Sequence, residues 1–254
     1  MSERPSSYVL CSNPRSGTTL LCDLLAQTGV AGCPDSFFRP QSLADWCDDW
    51  GISTRIDPES DLFLSEYLAA MVREGRGATG VFGLRLMGEN LALANDWLDR
   101  VHPGQPSAQT RFDAAFGPVR FVHLSRKDKL AEAVSLIRAE QTGLWHRRPD
   151  GAPLEELPPT RRAGYDEELI TRQIARLTQL DQDWFTWFAA EGIEPLKLTY
   201  EALAEDPQEI LDEVLAFIGR DPTDVRPVTP GVKKLADATT GEWIAAYRAR
   251  FPDP

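Results

Sequence analysis

The chemistry in this sequence concentrates in one short stretch. Between the apolar run Tyr8-Val9-Leu10-Cys11 and the helically spaced Leu20, Leu21, Leu24 and Leu25 lie Arg15-Ser16-Gly17-Thr18-Thr19. Arg15 brings a permanent cation with a planar fork of donors. Ser16, Thr18 and Thr19 bring hydroxyls, and Gly17 lets the backbone approach a ligand closely. At the start of a helix the first N–H groups are unpaired and carry partial positive charge. Together these parts suit a phosphate or a sulfate; a plain strand–helix turn is the simpler reading. The nucleoside-triphosphate spacing GxxxxGK[ST] is not met, because the first Gly and the Lys after Gly17 are both missing.

A second constellation follows the apolar run Val119–Leu124. There Ser125-Arg126-Lys127-Asp128-Lys129 leads into Leu130, Ala133, Val134 and Ile137 at helical spacing. With a helix starting near Asp128, Ser135 lies about two turns in and Arg138 one turn further on a similar face. Arg126 and Ser135 are placed to hold a further anion, or else form a solvated basic turn. Arg85 stands inside the apolar run Val81–Met87, where a guanidinium requires a partner or an anion.

The elements that must position these groups read as strand, loop, helix, repeated. Unalternating apolar runs at Tyr8–Cys11, Val81–Met87, Val119–Leu124 and Pro195–Tyr200 fit strands buried on both faces. Helices are expected after the first loop to Thr28-Gly29, near Leu43–Trp50, over Leu62–Val72 up to Gly75, over Leu91–Leu98, after Asp128 to about Gly143, over Tyr165–Glu191, and from Asp206-Pro207 to Gly219. His102–Thr110 reads as a loop. Thr239 and Glu242 have capping-box spacing for a last helix, behind the basic segment Val232–Asp237. The expectation is an α/β fold with a P-loop-like central parallel β-sheet flanked by helices. It forms one domain over 1–254, with a flexible Pro-rich segment at 148–160.

A net charge of −12 argues against nucleic acid as a partner. Yet 22 of the 27 basic residues are Arg, the side chain suited to phosphate and sulfate, so a basic cleft in an acidic protein is expected. Cys11, Cys22, Cys33 and Cys47 form no CxxC, and His102, His123 and His146 are scattered, so no metal site is expected. No apolar run reaches membrane-spanning length and no signal-peptide core is evident, which places the protein in the cytoplasm by default.

The ordered set of motifs resembles the sulfotransferases that use 3′-phosphoadenosine 5′-phosphosulfate (PAPS), and most closely the Stf0 family of trehalose and bacterial glycolipid sulfotransferases. It comprises PRSGTT at Pro14–Thr19, GVAG-x-P-x-x-FF at Gly29–Phe38, Gly83–Met87, the nine-residue Arg126–Ser135 spacing, Trp145, and Glu242–Arg248. The resemblance implies a sulfotransferase fold, and PAPS as donor with adenosine 3′,5′-bisphosphate (PAP) as product. It also implies a carbohydrate or glycolipid acceptor, a homodimer, and no metal. Arg15, Ser16, Gly17, Thr18 and Thr19 would hold the 5′-phosphosulfate, with Arg15 also assisting the chemistry, and Arg126 with Ser135 would hold the 3′-phosphate. In the family's trehalose enzyme a Glu acting as general base stands where this chain has Ser36. Asp35 is the nearest replacement, or else a turn cap; His123 is a further base. The change also points to an acceptor other than trehalose. Phe37, Phe38, Trp46, Trp50 and Trp145 are available to stack on sugar rings or to fill a core. A non-catalytic PAP-binding module and a small-molecule kinase stay open beside this reading.

Overall fold

The computed structural model describes residues 7–225, 228–232 and 235–252. Lys233 and Lys234 of the basic segment lie outside the described residues. The four expected strands form one parallel sheet: β1 (Ser7–Ser12), β2 (Phe82–Met87), β3 (Val119–Ser125) and a later strand, Leu196–Thr199, in the spatial order β2-β1-β3 and then that strand. β1 sits between β2 and β3, so successive strands are laid down on opposite sides of it. In such sheets the crevice beyond the carboxyl end of the switch strand receives the ligand.

The reason β1 reads as unbroken apolar sequence is that both its faces are covered. Val9 and Cys11 face an aromatic-rich core with Phe63, Tyr67, Trp97, Phe112 and Trp184. Tyr8 and Leu10 face a second core of Leu21, Leu24, Leu25, Leu211, Val214 and Leu215. The first core is carried by α2 (Leu43–Asp49), α3 (Asp61–Arg76), α4 (Leu91–Val101) and α5 (Ala108–Phe116). The second draws on α1 (Thr18–Thr28) and on helix Pro207–Phe217, which Asp206 caps as expected.

Three sequence expectations need correction. α3 runs through Gly75 to Arg76, because that glycine is required inside the helix: a Cβ there would meet the Phe82 ring at 2.6 Å. The loop at His102–Thr110 gives way to α5 from Ala108, where Ser107 and Thr110 form a reciprocal capping box. The last helix, Ala238–Arg250, starts ahead of Thr239, because the Asp237 carboxylate caps it by accepting from Thr240 N–H.

The Pro-rich segment contains regular structure. After α6 (Lys129–Thr142), strands β4 (Leu144–Arg147) and β5 (Pro153–Glu156) pair antiparallel, and then α7 (Glu167–Glu191) begins. Gly143, at φ 73°, joins α6 to this hairpin. Its carbonyl accepts from Leu157 N–H at 2.7 Å, and a Cβ there would stand 1.9 Å from the Leu157 carbonyl oxygen. The sheet strand Leu196–Thr199 is β6, helix Tyr200–Glu205 is α8, Pro207–Phe217 is α9 and the last helix is α10. No helix among the described residues is long and apolar enough to cross a membrane.

Candidate active site

The loop after β1 is held in an unusual backbone. Arg15 is the one non-glycine residue at positive φ (69°) among the described residues, and Gly17 follows at φ 91°. Left-handed backbone costs a side-chain-bearing residue roughly 1–2 kcal/mol, so the surroundings must hold Arg15 there. They do so by hydrogen bonds: Arg15 Nε donates to Ser135 Oγ at 3.1 Å, and Nη1 donates to the Trp145 carbonyl at 2.8 Å. The Ser16 hydroxyl donates to the Asn13 carbonyl at 2.7 Å. At Gly17 a Cβ would meet the Tyr200 ring at 2.7 Å. Gly17 caps α1 with no side chain, so the first N–H groups of that helix remain open to a ligand.

Arg126 reaches the same place from the end of β3. Its guanidinium lies 4.4 Å over the Tyr200 ring and donates from Nη1 to the Arg15 carbonyl at 3.3 Å, while its Nε is buried without a partner. Two guanidinium groups are thus crowded together. Burial first, and then the charge of Arg126, lower the Arg15 pKa to about 10. Like charges half-buried in one cleft call for an anion between them.

Arg15, Thr18, Thr19, Arg126 and Ser135 all line one cleft of about 1180 Å³. The two anion-binding sets of the sequence therefore converge, with Ser135 joined directly to Arg15. Arg138 also lines the cleft but is engaged by Asp237 through two bonds of 2.8 and 2.9 Å.

Arg85 finds the partners its burial demands. It donates to Ser36 Oγ at 2.7 Å, to Thr19 Oγ1 at 3.1 Å and to Asp35 Oδ1 at 2.8 Å. The Asp35 carboxylate also accepts from Ser36 N–H at 2.6 Å. Asp35 lines a smaller recess of about 350 Å³ beside the cleft, whereas Ser36 lines the cleft itself. Neighbouring residues of an extended segment point opposite ways, and Asp35 bridges to Leu84 of β2 in just such a segment.

His123 is not at the site. It is buried against Trp184, Phe185 and Phe188, and burial lowers its pKa to about 4. Of the five aromatic residues available for sugar stacking, Phe37 and Phe38 are core, Trp46 and Trp50 pack on Phe37, and Trp145 lines the cleft. Among the described residues, no group of three or more His, Cys, Asp or Glu is placed to hold a metal ion.

A profile of the Stf0 sulphotransferases matches residues 7–250. The chain belongs to the Stf0 sulphotransferase family. It is 33% identical over 270 aligned positions to the trehalose 2-sulfotransferase of Mycolicibacterium smegmatis, covering 98% of this chain and 96% of that one. It is 33% identical over 273 positions to the trehalose 2-sulfotransferase of Mycobacterium tuberculosis, covering 99% and 98%. Among solved structures, a sulfotransferase from Alicyclobacillus acidocaldarius aligns over 98% of this chain and 92% of its own, at 14% identity and a TM-score of 0.46, too low a likeness to carry weight.

Two cleft residues of this Stf0 chain had no sequence signal. His146 of β4 places Nε2 3.1 Å from Thr19 Oγ1. Burial, then Arg15 and Arg85, lower its pKa to about 3, so the ring is neutral at pH 7. Glu155 of β5 lies beside it, with Oε2 3.5 Å from His146 Nε2. Glu155 lies in the Pro-rich segment and His146 just ahead of it; the pairing of β4 with β5 brings the two together, and His146 meets the first loop at Thr19.

Proposed function

We propose that the protein transfers a sulfuryl group from PAPS to a hydroxyl of a carbohydrate or glycolipid acceptor, by direct in-line displacement. The observation that carries this is the half-buried pair of cations Arg15 and Arg126 around an uncapped helix start. The two guanidinium groups repel each other unless a polyanion lies between them, and PAPS presents phosphate at two positions.

The donor, when bound, supplies the activated sulfuryl group. Arg15, Ser16, Gly17, Thr18 and Thr19 hold its 5′ end, and Arg126 with Ser135 holds the 3′-phosphate. Arg15 and the open N–H groups of α1 stabilise charge that develops on the leaving side, where loss of one such donor typically costs roughly 10²–10³-fold in rate. Asp35, through Arg85, orients Ser36 and Thr19. The acceptor class follows the printed names of the mycobacterial relatives; Ser36 supports an acceptor other than trehalose itself. A homodimer and a cytoplasmic location belong to the same reading. Half-exposed Phe185 on α7 supports an interface, and four unpaired cysteines support a reducing compartment.

The test is calorimetric titration with PAP, followed by transfer of labelled sulfate from PAPS to a panel of sugars and glycolipids that includes trehalose. Saturable PAP binding with labelled sugar product is the expected result. Saturable binding with no product from any acceptor would favour a non-catalytic binding module. Turnover of ATP in place of PAPS would favour a kinase.

A further inference from the structure

The cleft and the recess meet at Thr19, Arg85, His146 and Glu155, each of which lines both. A general base for sulfuryl transfer must face the acceptor hydroxyl at this junction and keep an oxygen free to take a proton. Ser36 is a hydroxyl that accepts from Arg85, and Asp35, whose Oδ1 accepts from Arg85 and Ser36 N–H, lines the recess and not the junction with the cleft.

Most other carboxylates of the cleft are occupied. Glu89 is paired with Arg176 at 3.0 Å, Asp128 with Arg248 at 3.1 Å, and Asp237 with Arg138. Glu140 is paired with Arg161, and Glu201 accepts from the N–H groups of Lys127 and Asp128. Glu156 is exposed and lines the cleft alone. Glu155 differs from all of these. Its contacts, Arg39 Nη1 at 3.4 Å and His146 Nε2 at 3.5 Å, are longer than a good hydrogen bond, so both oxygens keep acceptor capacity. Its side chain is 36% exposed.

We propose that Glu155, on the β4–β5 hairpin, is the general base of the transfer and acts on an acceptor hydroxyl presented from the smaller recess. The inference rests on the sulfotransferase reading above. In the step, the acceptor oxygen forms the new bond to sulfur. The bond from sulfur to the donor's phosphate oxygen breaks, with its electron pair leaving on the phosphate. The hydroxyl proton passes to Glu155 and from there to water. Arg39 from the loop after α1, His146 from β4, Arg85 from β2 and Arg15 from the loop after β1 are the charged and titratable groups near Glu155. Arg39 and Arg85 are permanent cations, and Asp35 across the recess is held on Arg85. The base so supplied comes from a different part of the chain than the position where the family's trehalose enzyme carries its Glu.

The test uses the full chain with labelled PAPS and whichever sugar or glycolipid of the panel wild type sulfates. Glu155→Gln is expected to lower kcat by roughly 10²–10⁴-fold, the usual worth of a general base, with PAP affinity unchanged by calorimetry. The acidic limb of its pH–rate profile should vanish, while Asp35→Asn keeps that limb. Added formate should restore part of the rate to Glu155→Ala, a rescue that a merely structural role would not allow. An active Glu155→Gln with an unaltered pH profile, or a limb lost in Asp35→Asn instead, would overturn the assignment while leaving the sulfotransferase reading intact. A wild type that binds PAP but sulfates nothing on the panel would remove the reading and the base together.

Discussion

The two walls of the cleft are built in opposite ways. The donor wall is assembled from the carboxyl ends of β1 and β3 and the start of α1 and α6, all anchored in the doubly covered sheet. Its cations are half-buried, stacked on Tyr200 or bonded to carbonyls, and one loop residue is held in a left-handed conformation. The opposite wall is a two-stranded hairpin with irregular register and mostly half-buried or exposed residues. An isolated hairpin has little stability of its own; this one is held by Leu157 N–H on the Gly143 carbonyl, by Arg15 on the Trp145 carbonyl and by His146 against Thr19. On the proposed reading, the difference teaches that rigid charge placement is concentrated where the donor's charge would lie. The acceptor would face an element outside the sheet, tied to the donor loop through the Trp145 carbonyl.

That comparison can be broken most forcefully at the donor wall. Arg15→Ala should reduce kcat/KM for labelled transfer by roughly 10²–10³-fold. Arg126→Ala should weaken PAP binding by about 2 kcal/mol or more, roughly 30-fold, because the bound 3′-phosphate loses its cation. If either variant binds PAP as tightly as wild type and transfers at the wild-type rate, the donor site lies elsewhere.

The hairpin wall should respond differently. Gly143→Ala places a Cβ against the Leu157 carbonyl and forces left-handed backbone on Ala. A destabilisation of about 1–3 kcal/mol is expected by chemical denaturation. Transfer should fall while PAP affinity measured on the folded fraction stays within a few-fold of wild type. Equal loss of both would show that the walls are not energetically separate.

A third contrast, away from both walls, concerns pH. His123 and His146 are held neutral, with pKa values lowered to about 4 and about 3, whereas an unfolded histidine titrates near 6.5. The unfolded chain binds more protons in that window, so stability is full above pH 6.5 and falls as pH drops toward 4. His123 alone accounts for about 3 kcal/mol of this loss. Glu132, buried beside Lys129 and raised to about 7, acts in the reverse sense between pH 4.5 and 7, but it is one group against two. Denaturation curves at pH 7 and pH 4.5 should show the net loss, and His123→Phe, which suits the surrounding aromatic rings, should flatten it. A flat wild-type profile would contradict the neutral burial of both rings.

Legibility followed the same division. Strands β1, β2 and β3 were readable because burial on both faces removes polar residues from the strand, and the loops after β1 and β3 were readable because anion binding needs Arg, Gly and hydroxyls at helix starts. Arg85 was readable as a residue in need of partners, though not which ones. α5 was missed because Gln109, Thr110 and Arg111 carry little hydrophobic period, and its capping box uses Thr in place of Glu or Gln. Gly75 misled, since a glycine required by the Phe82 ring looks in sequence like a helix breaker.

By itself, then, the order of residues determined the parallel sheet, the loop proposed to bind an anion and the family. Those features depend on local period and on residues within one helical turn of each other. Only the tertiary structure decided that Arg15 and Ser135 touch, that Asp35 turns away from the cleft while Ser36 faces it, and that Glu155 stands at the junction of cleft and recess. Each of these depends on which way a side chain leaves a packed backbone, or on a pairing between segments over a hundred residues apart. No spacing along the chain encodes either.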